Sequence, residues 1–117
     1  MVTASDFRDK SIASLLVAYD WETSAHLAEL TVRSGDGEQC CFRLVGLSEW
    51  SAYEDFAAQH IEQCTLVADT TGWYLSLDPH QEGLPSPQDN LWFRFASMEP
   101  GSGSNNSSKP TPLRGAA

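Results

Sequence analysis

Three cysteines, three histidines and sixteen carboxylates are the side chains of this 117-residue chain that could do chemistry. A zinc site would draw on Cys40 or Cys41 with His60 and Cys64. Tetrahedral structural zinc favours paired C-x-x-C spacing and a fourth ligand, and neither is present. Adjacent Cys40 and Cys41 point to opposite faces of a strand, so at most one joins Cys64 in a core. Small buried hydrophobes are the simpler role for such thiols. As a nucleophile Cys41 would need a cation held near its sulfur, and the only basic neighbour in sequence is Arg43. His26, His60 and His80 fall on a strand face, an element end and a loop, with nothing in the sequence to make them converge. Asp36-Gly37-Glu38 lacks the ligand spacing of a calcium loop. The one Gly-x-Gly in a glycine-serine run, Gly101-Ser102-Gly103, follows the last strand and forms no phosphate loop. The expectation is a protein with no catalytic residues, no metal and no cofactor.

The carboxylates say more. Between Arg43 and Arg94 there is no lysine or arginine, while Glu49, Glu54, Asp55, Glu62, Asp69, Asp78, Glu82 and Asp89 all fall there. A field of one sign steers partners of the other. The bland reading is a solvated, solubilising face. Aromatic residues among the acids favour binding: Trp21 in a turn, Trp92 on an outward strand face, and Tyr74 opposite the face of Trp73. Trp and Tyr serve as anchors and carboxylates as steering charges. These eleven residues are the candidate partner-binding set, and the expected partner is a basic protein surface such as a toxin, a nuclease or a nucleic-acid-binding complex.

Composition excludes other classes. A net charge of −9 disfavours direct nucleic-acid binding through phosphates and docking on an anionic membrane. No run approaches the 18 or so apolar residues of a membrane span. The segment Met1–Asp6 lacks a basic region followed by an apolar one, so no signal peptide is expected. With an odd number of cysteines, a reducing cytoplasmic location follows. Nothing in the sequence fixes the oligomeric state.

These residues must be positioned by one small domain, residues 1–97, followed by a Gly/Ser/Asn/Pro tail, 98–117, expected to be disordered. Ser11–Tyr19 reads as a first strand. Ala25–Arg33 alternates His26, Ala28, Leu30 and Val32 against Glu29, Thr31 and Arg33, the pattern of a half-buried strand. Ser34-Gly35-Asp36-Gly37 is a strong turn leading to a third strand, Glu38–Val45, with Cys40, Phe42 and Leu44 inward and Cys41, Arg43 and Val45 outward. In Leu47–His60, Trp50, Tyr53, Phe56 and Ala57 recur at spacings of three and four, which predicts a short helix. Ile61–Leu77 predicts a hairpin turning at Asp69–Gly72, and Leu91–Ala96 a last strand after a proline-containing loop. The predicted fold is α+β: an antiparallel sheet of about six strands, curled or sandwiched, with one helix between strands three and four.

The segment Phe7-Arg-Asp9 with Val17-Ala-Tyr-Asp20-Trp21 and the alternating strand after it resembles small β-rich bacterial immunity-type proteins, which neutralise a toxin. The resemblance spans residues 6–46 and implies stoichiometric inhibition without catalysis. Phage inhibitors that mimic nucleic acid and block a defence or DNA-processing complex share the same small acidic character and stand as the alternative. A small ligand-binding domain or enzyme with an internal pocket is the third reading.

Overall fold

In the computed structural model, residues 2–52 and 60–101 are described, and they form two four-stranded antiparallel sheets. The strands are β1 (Ser11–Asp20), β2 (Ala25–Arg33), β3 (Gln39–Leu47), β4 (Glu49–Ser51), β5 (Thr65–Asp69), β6 (Gly72–Asp78), β7 (Asn90–Phe95) and β8 (Ser97–Pro100). One sheet has the order β1-β2-β3-β8, the other β4-β7-β6-β5. Local sequence accounts for the hairpins. Ser34 and Glu38 close the β2–β3 turn, where Gly37 takes φ +91. Asp69 stabilises the β5–β6 turn by accepting from the Thr71 N–H and hydroxyl at 2.8 and 2.7 Å.

Two pairs of consecutive strands belong to both sheets. β3 and β4 are separated by Ser48 alone, β7 and β8 by Ala96 alone, and the pairs lie antiparallel to each other. Hydrogen bonds run on through the bend: Ala96 N–H donates to Val45 O at 2.9 Å and Ser48 N–H to Arg94 O at 2.8 Å. The corner needs a glycine. Gly46 sits at φ +70, and a Cβ there would meet the Ala96 Cβ at 2.9 Å. Strands that switch sheets through such bends make the corners of closed β structures.

The core fills the space between the sheets. Ala28, Leu30, Val32, Phe42, Leu44 and Leu47 face Leu75, Leu77, Leu91, Phe93 and Phe95. Phe7, carried on a 3-10 turn at Ala4–Asp6, packs its ring 4.7 Å from that of Phe42. The chain at 60–61 then seals the flank of β1: Ser11 bridges His60, and Ile61 exchanges backbone hydrogen bonds with Asp9 and Lys10.

Three expectations need correction. The fold is not an α+β sheet of about six strands with an inserted helix. Among the described residues there are eight strands, and the only helical turn is Ala4–Asp6. Trp50, which headed the apparent helical stripe, lies in β4 directly opposite Phe93. Tyr53, Phe56 and Ala57, the rest of that stripe, lie outside the described residues. The boundary at Ser97 falls inside β8, where Met98 pairs with Leu44 and packs against the core. Finally, Cys41 faces outward by alternation yet is buried, because β8 continues over it and Gly101 N–H donates to its carbonyl at 2.9 Å. Cys40 is the exposed thiol.

Candidate functional site

The β1–β2 register sets Tyr19 opposite His26, and β4 brings Trp50 beside them from the other sheet. Four aromatic side chains thereby make one continuous cluster. The Trp21 and Tyr19 rings are 4.6 Å apart at 75°, Tyr19 and His26 4.9 Å at 68°, and His26 and Trp50 5.1 Å at 49°. Edge-to-face contacts of this kind are favourable for aromatic pairs. Tyr19 and His26 share a sheet face with Val17 and Ala28, so the cluster extends the core face beyond the point where the core ends. It is open to solvent: Trp21 is 83% exposed, Trp50 40% and Tyr19 38%. Because successive rings are tilted, they form a rough apolar knob rather than a flat platform. That shape fits side-chain pockets on another protein better than stacked sugars or bases.

Charge around the cluster is negative. Asp20 and Glu22 flank Trp21 in the chain, and Glu49 precedes Trp50. Of the described cations, Arg8, Lys10 and Arg43 are engaged away from the cluster, while Arg94 reaches Glu49. Arg8 pairs with Glu82 at 2.8 Å, Arg43 with Glu29 at 2.9 Å, and Lys10 donates to the Asp6 carbonyl at 3.3 Å. Arg94 lies 3.7 Å from Glu49 and 3.6 Å from Asp69.

The eleven residues read from sequence are dispersed. Trp21 is at the aromatic cluster, and Glu49 stands beside it in the chain on an exposed strand. Glu62 and Asp78 are exposed, and Asp78 accepts from the Asn90 amide at 2.9 Å. Asp69 is exposed, and its hydrogen bonds from Thr71 lower its pKa from the ordinary value. Glu82 is lowered too, by the Cys64 N–H and then by Arg8. Glu54 and Asp55 lie outside the described residues.

Asp89, Tyr74 and Trp92 form a separate region on the outer face of the second sheet. The Tyr74 hydroxyl donates to Asp89 at 2.5 Å, and the N–H groups of His80 and Ser86 donate at 2.7 and 3.2 Å. Asp89 is fully buried and Tyr74 nearly so, so neither is an open contact surface. Burial, then the bond to Asp89, pushes the Tyr74 hydroxyl far above its usual pKa. Trp92 stacks on Tyr74 at 5.7 Å, the Arg94 guanidinium lies 4.9 Å from the Tyr74 ring centre, and Pro85 and Pro87 complete a groove of about 260 Å³. The hydrogen-bonding groups of Tyr74 and Asp89 thus meet inside the protein.

Chemistry is sparse. Burial raises the Cys64 thiol to about 12 and also raises Cys40, the opposite of what a nucleophile needs. Among the described residues no three His, Cys, Asp or Glu side chains are placed to hold a metal ion, and no helix is long and apolar enough to cross a membrane. Tyr19, His26 and Trp50 were missed by sequence reasoning. The short connection between Tyr19 and Ala25 could have brought Tyr19 and His26 into view, whereas Trp50 was hidden by its helical spacing.

The fold defines an antiparallel two-sheet β protein with an exposed aromatic face. Compared with known proteins, the chain matches no family model, no curated protein and no solved structure.

Proposed function

We propose that this chain is an acidic protein-binding inhibitor that engages a basic partner through the Tyr19–Trp21–His26–Trp50 face. In its most concrete form it is an immunity-type protein that neutralises a basic toxin or nuclease by stoichiometric occlusion. The observation that carries this is the solvent-open aromatic cluster at the end of a core it does not complete. Trp and Tyr in such a position are typical binding hot spots. Asp20 and Glu22 add charge that speeds encounter with a cationic surface. The nucleic-acid-mimic alternative has less support. It needs a free row of carboxylates, and Glu49 and Asp69 flank Arg94, Glu82 pairs with Arg8, and Asp89 is buried.

The test is titration with synthetic peptides, one set rich in Lys and Arg around a leucine anchor, one acidic and one neutral. Amide and indole NMR shifts report the contact. Basic peptides are expected to shift Tyr19, Trp21, His26 and Trp50, with affinity that falls as salt rises. Equal binding of acidic peptides, or shifts centred elsewhere, overturns the proposal.

A further inference from the structure

We infer that the aromatic face takes one particular side chain from its partner. It is an arginine, its guanidinium laid against Trp21 in the corner that Trp21 makes with Tyr19. This deepens the reading of a basic partner and rests on it. The molecule already contains one completed contact of this kind. On the outer face of the second sheet the Arg94 guanidinium lies 4.9 Å from the centre of the Tyr74 ring. The carboxylates of Glu49 and Asp69 stand 3.7 and 3.6 Å from the same guanidinium. The negative face of an aromatic ring attracts a cation, and carboxylates beside it add to the attraction.

The aromatic face has the rings and the carboxylates, and its guanidinium has to come from elsewhere. Among the described residues, Arg94 on Tyr74 is the one cation held against a ring. Arg8 is paired with Glu82 and Arg43 with Glu29. Arg33 closes β2 at the end away from His26, roughly 23 Å along the strand at about 3.3 Å per residue. The turn Asp20–Ser24 and residues 53–59 contain no Lys or Arg at all. The chain's remaining arginine is Arg114, and the experiment below separates it from a partner's.

Trp21 is the ring placed to receive it. Tryptophan attracts a cation more strongly than tyrosine does, and Trp21 is more exposed than Trp50 or Tyr19. Asp20 and Glu22 adjoin it in the chain, and the Glu22 N–H donates to the Asp20 carboxylate at 2.9 Å. Their charges act on a cation at Trp21 through the field, without having to touch it. At Trp50 the neighbouring Glu49 already stands beside Arg94. The Trp21 and Tyr19 rings meet at 75° with their centres 4.6 Å apart. Such a corner offers one surface to a flat guanidinium and another to its methylene stem. A lysine ammonium is compact and strongly hydrated, and it has no plane to stack.

The test titrates the full chain with three peptides of one sequence, followed by amide and indole NMR. Every cationic position is arginine in the first, lysine in the second, and in the third citrulline, which has the shape of arginine without its charge. The arginine peptide should bind roughly threefold more tightly than the lysine peptide, with citrulline weakest and the largest shift at the Trp21 indole N–H. Trp21→Leu keeps an apolar side chain at an exposed position and should abolish the preference for arginine, whereas Trp50→Leu should leave it. Arginine and lysine peptides that bind equally well overturn the inference and leave the basic-partner reading standing. If neither binds, both readings fall together. A preference that survives Trp21→Leu, or citrulline that binds as tightly as arginine, also overturns the inference. So does an Arg114→Gln chain whose Trp21 indole has moved before any peptide is added, since the arginine would then be the chain's own.

Discussion

The aromatic cluster at Tyr19, Trp21, His26 and Trp50 and the outer face at Tyr74, Asp89, Trp92 and Arg94 are built from the same materials. Each has aromatic rings within 6 Å of one another and carboxylates close by in sequence. They differ in where the interactions end. On the outer face every partner is internal: Tyr74 gives its hydroxyl to Asp89, Asp89 accepts from two loop N–H groups, and Arg94 covers the Tyr74 ring. At the cluster the rings touch each other and then water. Composition alone cannot separate the two regions. What separates them is whether the interactions close on themselves, and only the cluster presents its rings largely to solvent.

Substitutions should pull the two apart. Asp89→Ala leaves the Tyr74 hydroxyl and two N–H groups without their acceptor in a buried site. A stability loss of about 3–5 kcal/mol is expected from urea unfolding, since each orphaned group costs about 1–3 kcal/mol. Trp21→Ala with Trp50→Ala should behave in the opposite way. Stability should move by less than about 1 kcal/mol for such exposed sites, while affinity for a basic peptide or partner falls by about 2 kcal/mol or more. If the Trp variant unfolds and the Asp89 variant does not, the assignment of the two regions is reversed. Next in size, Tyr74→Phe should cost about 1.5 kcal/mol, the low end for a hydrogen bond to a charged group. Tyr19→Phe should cost nothing measurable, because no partner of its hydroxyl holds the fold together.

Titration gives finer tests. Tyr74 and Cys64 both hold their protons more tightly in the folded chain than at their ordinary values of 10.0 and 9.0. The unfolded chain therefore ionises first, so their stabilisation is complete below pH 9 and declines as pH rises. For Cys64, with its thiol at about 12, the decline approaches about 1.4 kcal/mol per pH unit. Cys64→Ala should flatten that part of the melting-temperature profile. The smallest effect lies on the acid side. Asp69 and Glu82 are lowered, so what they contribute is present above their ordinary values of 3.8 and 4.5 and fades as pH falls further. Thr71→Val should weaken the Asp69 part of that acid response and leave the Glu82 part in place. An acid limb unchanged by Thr71→Val would show that Asp69 takes no share in it.

The sequence made some elements legible and hid others for identifiable reasons. β2 and β7 bury one face each, so alternation betrays them, and the glycine-containing turns after β2 and before β6 mark strand ends. β8 partly buries Met98 and leaves Ser97, Glu99 and Pro100 exposed, and it is held by backbone bonds that leave no side-chain pattern. Trp50 belongs to a three-residue strand, too short for alternation to compete with a helical spacing. Asp89 is fully buried, and no local residue announces this, because its donors come from a tyrosine and two backbone groups set by tertiary folding. Trp21, read directly from its turn, was the part of the aromatic face visible in advance.

The place of β8 in the sheet bears on how the protein is made. β3 lies between β2 and β8, but β8 follows every strand of the second sheet in the chain. On the ribosome, β1, β2 and β3 can form their meander early, while the far edge of β3 remains open until β4–β7 have emerged. Pairing of such long sequence separation is slow, and an unpaired strand edge is prone to wrong association meanwhile. The carbonyl of Cys41, the ring of Phe42 and the side chain of Leu44 stay partly uncovered through that interval, and the last few residues of β8 close the seam.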